Sequence, residues 1–445
     1  MVSWLIQDAL KTIAPNPNHQ HVSFISLGCV KNTVITEKIV ALFSQCGFKV
    51  IPESTQTDFF VVNTCGFLEI AREEVISVIQ DLLTTYSIPP NQIIVLGCLA
   101  YRFPNLLQHH FPSITLLRNQ DPIQAVQEYL STTSQGSHRI LSTPYFAYLR
   151  IAQGCDRHCS YCLIPSIKGS YKSFSIPTLL EECKTIADEY PIQELVLVAQ
   201  DTSLYGHDLG SAITLNTLVE SIANLKRFSW IRILYMYPHQ ALLSQLRDLF
   251  SIPSVIPYLD MPFQHYHPDI LSSMNRPTDA VSYIEKMYAL KESFPFMAFR
   301  STFIVGYPGE TDAHFAYLCQ TLKEYPLDRV GFFPYSKEKD TPSFLQQDHL
   351  SEFVKKQRLQ EAYECQNHIS LQLDNAFLSQ TIPILIQRYD APSRCAIGRS
   401  IREAPDVDPT ISVYGNPFRL QRHVGSIVNC TLTKATLHER KAYMI

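Results

Sequence analysis

The sequence has no apolar run long enough to cross a membrane, and it has no pattern typical of a secretion signal. It also lacks a strong excess of either charge, and its net charge of −4 argues against a strongly basic nucleic-acid binder. Because export signals are absent, the 12 cysteines point to a reducing compartment in which thiols act as ligands. We therefore expect a globular, cytoplasmic protein of about two to four domains, with a loosely attached tail at residues 1–20.

Three cysteines lie close together at Cys155, Cys159 and Cys162, directly after a strand-like run at residues 148–152. Iron–sulfur clusters are normally held by four thiolates, and the next cysteine along the chain is Cys183. A cluster on this loop would therefore keep one iron open for another ligand. A zinc knuckle would need a fourth Cys or His at paired spacing, and a disulfide with a spare thiol does not suit a reducing compartment.

This spacing, with Tyr161 directly before the last cysteine, resembles the signature of radical S-adenosylmethionine (SAM) enzymes. The resemblance implies a 4Fe–4S cluster on Cys155, Cys159 and Cys162, whose open iron binds SAM. It also implies that SAM is cleaved to a 5′-deoxyadenosyl radical.

Residues 21–132 alternate between strand-like and helix-like segments, which predicts a doubly wound α/β domain with a parallel sheet. Cys29, Cys65 and Cys98 each follow the end of a predicted strand. Because such ends share one edge of the sheet, we expect the three thiols to meet there and to hold a second cluster. The alternative is that they are small core residues, and we adopt that interpretation for Cys46, Cys183, Cys319, Cys365, Cys395 and Cys430.

Residues 141–375 contain six strand-like runs with helices between them, which predicts an open, partial (β/α)6 barrel. The runs are 148–152, 194–199, 230–236, 258–261, 298–305 and 329–333. Catalytic groups of such barrels lie at the carboxyl ends of the strands, so we expect SAM to bind there, with Tyr161 packed on the adenine. The other candidate SAM contacts are Gln200, Asp201, Gln264, Thr302, Gly306 and Glu310, and the alternative for the polar ones is a capping or turn role.

A polar linker at residues 131–138 precedes this barrel, and a small antiparallel β-barrel is predicted at 376–445 from short strands at even spacing. The last segment has nine Lys and Arg against five Asp and Glu, a net charge of +4 that leaves −8 for the rest. Residues 396–400 resemble the TRAM domain, a substrate-docking module. The positive charge would suit contact with RNA, and the alternative is a scattered, solvated surface.

Several longer segments of the sequence resemble the methylthiotransferases. Residues 28–32, 63–67 and 97–99 resemble their N-terminal domain, and 148–155, 198–206, 258–265 and 300–306 resemble the RimO-type ribosomal protein methylthiotransferases. The resemblance covers nearly the whole chain and implies that Cys29, Cys65 and Cys98 hold an auxiliary 4Fe–4S cluster. The chain departs from the family at Ile35, where an aspartate is usual, and at Phe174, where an arginine is usual.

The resemblance implies that a methylthio group is added to the β-carbon of an aspartate in small-subunit ribosomal protein S-12. SAM would serve both as methyl donor and as radical source, and an electron donor would be a further partner. No catalytic residue is expected beyond the cluster ligands, because hydrogen abstraction needs no acid–base pair. The alternatives are a tRNA adenosine methylthiotransferase and a non-catalytic, metal-containing RNA-binding protein.

Overall fold

The computed structural model describes residues 20–54, 56–133, 138–210, 212–437 and 439–445. The predicted tail up to residue 19 and the centre of the predicted linker lie outside these ranges. The chain divides into two compact units. The first is the chain up to Arg157 together with Leu163–Tyr190, and the second is His158–Cys162 together with Pro191–Ile445. None of the described helices is both long and apolar enough to cross a membrane.

The first unit alternates strands and helices from its start. Its elements are β1 (His21–Ser26), α1 (Val30–Gln45), β2 (Lys49–Val50), β3 (Phe59–Thr64), α2 (Glu69–Thr84), β4 (Ile93–Gly97), α3 (Cys98–Arg102), α4 (Pro104–His110), β5 (Thr115–Leu116), α5 (Pro122–Tyr129), β6 (Phe146–Arg150), β7 (Ala152–Gln153), α6 (Ile164–Lys168), β8 (Lys172–Ser173) and α7 (Ile176–Glu189).

A five-stranded parallel sheet of order β2–β1–β3–β4–β5 forms the core of this unit. Successive residues of a strand point to opposite faces, so Val95 packs with Ile79 of α2 while Leu96 packs with Ile39 of α1. Both faces are therefore covered by helices, as buried parallel sheets require. The predicted doubly wound arrangement is confirmed.

The second unit continues the alternation and ends in short strands. Its elements are β9 (Glu194–Val198), α8 (Leu215–Ala223), β10 (Trp230–Ile233), α9 (Gln240–Phe250), β11 (Tyr258–Asp260), α10 (Pro268–Ser273), α11 (Ala280–Lys291), β12 (Ala298–Val305), α12 (Asp312–Glu324), β13 (Arg329–Pro334), α13 (Glu352–Asn375), β14 (Thr381–Asp390), β15 (Cys395–Ser400), β16 (Ile411–Tyr414), α14 (Pro417–Arg422), β17 (Ile427–Ala435) and β18 (Arg440–Met444).

The six strands predicted for the partial barrel are all present, as β6 and β9–β13. Within the second unit, β9 pairs with β10, and β12 pairs with both β11 and β13, always in parallel. Within each of these two groups, the carboxyl ends of the strands therefore point the same way. The last five strands close into a barrel of order β14–β15–β16–β18–β17, in which β16 and β18 form the one parallel pair among the described pairings. The predicted fold class is confirmed.

A buried ion-pair cluster fixes this C-terminal barrel to β9 and β10. The carboxylate of Glu194 accepts from Arg232 at 2.6 Å and from Arg399 on β15 at 2.7 Å, and all three side chains are buried. The pKa of Glu194 is raised by burial, but the two guanidinium groups outweigh that effect and lower it overall. Such pairs cost much when one partner is removed, because the other charge is left buried alone.

Candidate functional site

Three thiols meet at the carboxyl edge of the first sheet. Cys29 precedes α1 after β1, Cys65 follows β3, and Cys98 begins α3 directly after β4. Burial, together with the charges of Cys29 and Cys98, raises the pKa of Cys65 to about 12. The parallel topology thus brings together three cysteines that are far apart in the sequence.

Glycine backbone packs closely against these thiols. Gly28 has a φ of +93°, and a Cβ added there would lie 2.5 Å from the Cβ and 3.0 Å from the Sγ of Cys65. A Cβ on Gly66 would lie 3.0 Å from the Cα of Leu99 and 3.3 Å from the backbone carbonyl carbon of Cys98. A side chain at Gly28 would therefore displace the thiol of Cys65, and one at Gly66 would press on the backbone at Cys98 and Leu99, so the arrangement depends on both glycines.

Positive charge surrounds the same thiols. Burial raises the pKa of Cys29, but the charge of Lys31, the backbone N–H of Asn32 and the charge of Lys168 together lower it overall. Arg150 also interacts electrostatically with Cys29, and its buried Nε has no hydrogen-bond partner in the described part of the chain. Thiolates with cationic neighbours are the form of cysteine that binds iron.

The two departures from the family pattern have local explanations. Ile35 is buried in the hydrophobic cluster between α1 and the sheet, where a carboxylate would be desolvated. The ring of Phe174 lies under the guanidinium of Arg150 at 5.1 Å, a cation–π distance. At the position where the family usually has an arginine, this chain therefore has a phenylalanine that packs against Arg150.

The loop with Cys155, Cys159 and Cys162 is divided by the boundary between the two units. In the first unit, the N–H of Cys155 donates to the carbonyl of Gly169 at 3.2 Å, and its Sγ accepts from the N–H of Arg157 at 3.4 Å. A Cβ on Gly154, where φ is +76°, would lie 2.1 Å from the carbonyl oxygen of Ser170. Only glycine fits directly before this cysteine.

In the second unit, α10 holds the remainder of the loop. The N–H of Ser160 donates to the carbonyl of Met274 at 3.0 Å, and the N–H of Cys162 donates to the carbonyl of Cys159 at 3.0 Å. Ser160 also shares a hydrogen bond of 2.8 Å with the hydroxyl of Tyr307. These contacts fix the orientation of Cys159 and Cys162 relative to the barrel strands of that unit.

Arg276 is a site residue that no motif in the sequence indicates. Its Nη1 donates to the Sγ of Cys159 at 3.7 Å, and its guanidinium lies 4.4 Å from the ring centre of Tyr237. It also donates to the carbonyl of Pro262, and it is buried. A cationic donor on a ligand sulfur stabilises negative charge there, which is one way in which proteins set the potential of an iron–sulfur cluster.

The predicted SAM contacts Gln200, Gln264 and Gly306 lie after β9, β11 and β12, respectively. The buried Oε1 of Gln200 has no hydrogen-bond partner among the described residues. Gln264 has a φ of +73°, and its N–H donates to the carbonyl of Thr302 at 2.8 Å. Gly306 leaves room for the side chain of Lys355, whose Cγ would lie 2.5 Å from a Cβ placed there.

The other three candidates are engaged within the protein. Asp201 accepts from the N–H of Ser203 at 3.0 Å and caps the short turn after β9. Glu310 accepts from the N–H of Gly306 at 3.0 Å and from Arg358 at 2.6 Å. Tyr161 packs in a small apolar cluster with Ile270, Met274, Tyr307 and Tyr335, and burial raises its pKa well above the ordinary value.

Family models match the two parts of the chain that carry these sites. The model described as Uncharacterized protein family UPF0004 matches residues 21–118, and the Radical SAM superfamily model matches residues 149–322. Together with the cysteine loop and the parallel strands, these matches define a radical SAM enzyme with an additional thiol-bearing α/β domain.

Curated relatives match almost the whole chain. The protein named ribosomal protein uS12 methylthiotransferase RimO from Carboxydothermus hydrogenoformans is 34% identical to this chain, over 95% of this chain and 98% of the relative. The protein of the same name from a Thermoanaerobacter species is 32% identical, over 94% of this chain and 98% of the relative. The protein of that name from Protochlamydia amoebophila is 30% identical over 99% of this chain and 96% of its own. The chain belongs to the RimO family of methylthiotransferases. It is therefore a sulfur-transferring radical SAM enzyme, which uses SAM and a 4Fe–4S cluster.

Proposed function

We propose that this protein adds a methylthio group to the β-carbon of an aspartate in ribosomal protein uS12, the small-subunit S-12 protein. The observation that carries the proposal is the convergence of Cys29, Cys65 and Cys98 at one sheet edge of a radical SAM enzyme. A plain radical SAM reaction needs one set of cluster ligands, whereas insertion of sulfur needs a place to hold that sulfur. The names of the curated relatives supply the target.

The residues fit two clusters of three thiolates each. Cys155, Cys159 and Cys162 would hold the first, and Cys29, Cys65 and Cys98 the second. The fit of the second set rests on the close backbone approach of Gly28 and Gly66 and on the cations that favour its thiolates. When bound, the first cluster supplies the electron that cleaves SAM, and the second supplies an iron for the sulfur to be transferred.

The polar residues at the carboxyl ends of β9, β11 and β12 would bind SAM. The unpartnered Oε1 of Gln200 would accept from the SAM amino group or ribose, and Gln264, Thr302 and Gly306 would line the pocket. Asp201, Glu310 and Tyr161 complete the proposed set. Since the two carboxylates are engaged internally, they would hold the pocket in shape while also facing SAM.

The C-terminal barrel would dock the target. Residues 376–445 carry the net charge of +4, and an exposed aromatic residue, Phe418, lies on α14 beside Arg419 and Arg422. Such a surface suits ribosomal RNA next to uS12. In this division of labour, residues 21–132 hold the sulfur, 141–375 generate the radical, and 376–445 dock the substrate. An electron donor completes the reaction, which would take place in the cytoplasm with the ribosome.

Anaerobic reconstitution followed by mass spectrometry tests the proposal. Purified protein with iron, sulfide, SAM and a reductant is incubated with small ribosomal subunits or with tRNA, in parallel. We expect a methylthio-aspartate in uS12, with 5′-deoxyadenosine as co-product. Modification of tRNA instead would identify a tRNA methylthiotransferase, and loaded protein that forms no 5′-deoxyadenosine would identify a non-catalytic binding protein.

One cysteine variant with a matched control separates the role of the second cluster from that of the first. Cys98→Ala should abolish methylthiolation while 5′-deoxyadenosine is still formed, because the radical-generating thiols are untouched. Cys46→Ala is the matched control, since Cys46 lies exposed at the end of α1, outside the group of three thiols. Full methylthiolation by Cys98→Ala would refute the assignment of the second cluster.

A further inference from the structure

Two imidazoles and a carboxylate lie together on the second unit. His267 precedes α10, Asp269 is in the first turn of that helix, and His314 is in the first turn of α12. One ligand atom from each of the three residues lies within 4.8 Å of the others. The two imidazole centres are 4.2 Å apart, with ring planes tilted by 46°.

The imidazoles are only weakly engaged in the protein. The Nδ1 of His267 accepts from the N–H of Asp269 at 3.3 Å, and the Nδ1 of His314 accepts from the N–H of Thr311 at 3.2 Å. Both bonds are at the long end of the hydrogen-bond range, so a stronger ligand can replace them. Asp269 is 79% exposed in its side chain and can rotate toward the rings.

Neutral imidazole is the form of histidine that binds metals, and either ring nitrogen can serve as the ligand atom.

We propose that His267, Asp269 and His314 bind one divalent transition-metal ion, with zinc as the reference ion. Two nitrogen ligands and one carboxylate oxygen are a donor set that zinc accepts in a tetrahedral site, with water in the fourth position. Magnesium and calcium prefer oxygen ligands, so they are poor candidates. This proposal is independent of the proposed function.

The ion would link α10 to α12 and so stabilise the cysteine loop. α10 is followed by Met274, which accepts from Ser160, and by Arg276, which donates to Cys159. Asn275 donates to the carbonyl of His158 at 2.7 Å. A metal at the start of α10 would therefore restrain the segment that holds the loop at its other end.

Zinc titration of the cluster-loaded full-length protein by calorimetry tests the site. His267→Asn and His314→Gln remove one ligand each and retain the helix caps, because Asn is a favoured N-cap and Gln serves in a capping box. His368→Gln is the control, since His368 is an exposed imidazole on α13. We expect one zinc per chain in the wild type and the control, and an affinity lower by about tenfold or more in each ligand variant.

Thermal unfolding gives a second readout. Zinc should raise the melting temperature of the wild type and the control, and should leave that of His314→Gln unchanged, because only a native-state ligand stabilises. Zinc binding that is unchanged in both ligand variants would mean that cysteines take up the ion. That result, or no binding by the wild type, would overturn the proposal.

Discussion

Replacing Gly28 with alanine should remove one cluster and spare the other. The new Cβ would lie 2.5 Å from the Cβ and 3.0 Å from the Sγ of Cys65, whereas unbonded carbon atoms need about 3.5–4.0 Å. Cys65 would therefore have to move by about 1 Å, which is enough to spoil a thiol site built to sub-ångström tolerance. The positive φ of +93° adds about 1–2 kcal/mol of backbone strain for any side chain.

Gly210→Ala is the matched control for this prediction. Gly210 also has a positive φ, +121°, but a Cβ there would have no neighbour within 4 Å. Both variants should lose about 1–2 kcal/mol of stability from backbone strain. Only Gly28→Ala should lose iron.

Iron and sulfide analysis after anaerobic reconstitution measures the effect. We expect about eight iron atoms per chain in the wild type and in Gly210→Ala, and about four in Gly28→Ala, since each 4Fe–4S cluster contributes four. Gly28→Ala should still form 5′-deoxyadenosine but should not transfer the methylthio group. A full complement of iron in Gly28→Ala, or an equal loss in Gly210→Ala, would refute the reasoning.

Three further predictions concern the second unit. Arg276→Gln should lower the reduction potential of the cluster on the Cys155 loop, because a cationic donor to the Sγ of Cys159 is lost, and a reductive titration followed by electron paramagnetic resonance measures the shift. Glu194→Gln should cost about 3–5 kcal/mol in denaturant unfolding, because two buried guanidinium groups lose their carboxylate. His265, whose pKa is lowered to about 3 by burial and by His267, His314 and Arg358, should make the protein less stable as the pH falls from 6.5. Below pH 6.5 the unfolded chain binds a proton at His265 and the native state does not, so the free energy of unfolding falls by up to about 1.4 kcal/mol per pH unit. Denaturant unfolding at pH 7 and pH 5.5 measures this loss.

Each of these predictions has a control and a result that contradicts it. Arg276→Lys retains the positive charge, so it should restore part of the potential, and an unchanged potential in Arg276→Gln would exclude the tuning role. Glu220→Gln replaces an exposed glutamate on α8 and should change stability by less than about 0.5 kcal/mol. An equal loss in both glutamate variants would count against the ion-pair cluster. His265→Gln should reduce the slope between pH 6.5 and 5.5, and a slope that persists in full would assign it to other groups.

The sequence alone determined the features that depend on local order. The alternation of strands and helices predicts a parallel sheet, and parallel strands all end at one edge, so the positions of Cys29, Cys65 and Cys98 after three strands already implied that they converge. The spacing of Cys155, Cys159 and Cys162 also implied that their thiols lie close together, because a short loop limits how far apart three side chains can be. Both arguments use only neighbours along the chain and the polarity of strands.

Only the tertiary structure decided which distant side chains are partners. Arg276 meets Cys159 across 117 residues, and Glu194 meets Arg399 across 205. The tertiary structure also showed that Glu310 pairs with Arg358. The sequence alone does not indicate whether a carboxylate that follows a strand faces a ligand or an arginine. The physical reason is that such contacts are set by how helices and strands pack against one another, and periodicity within a segment does not specify that packing.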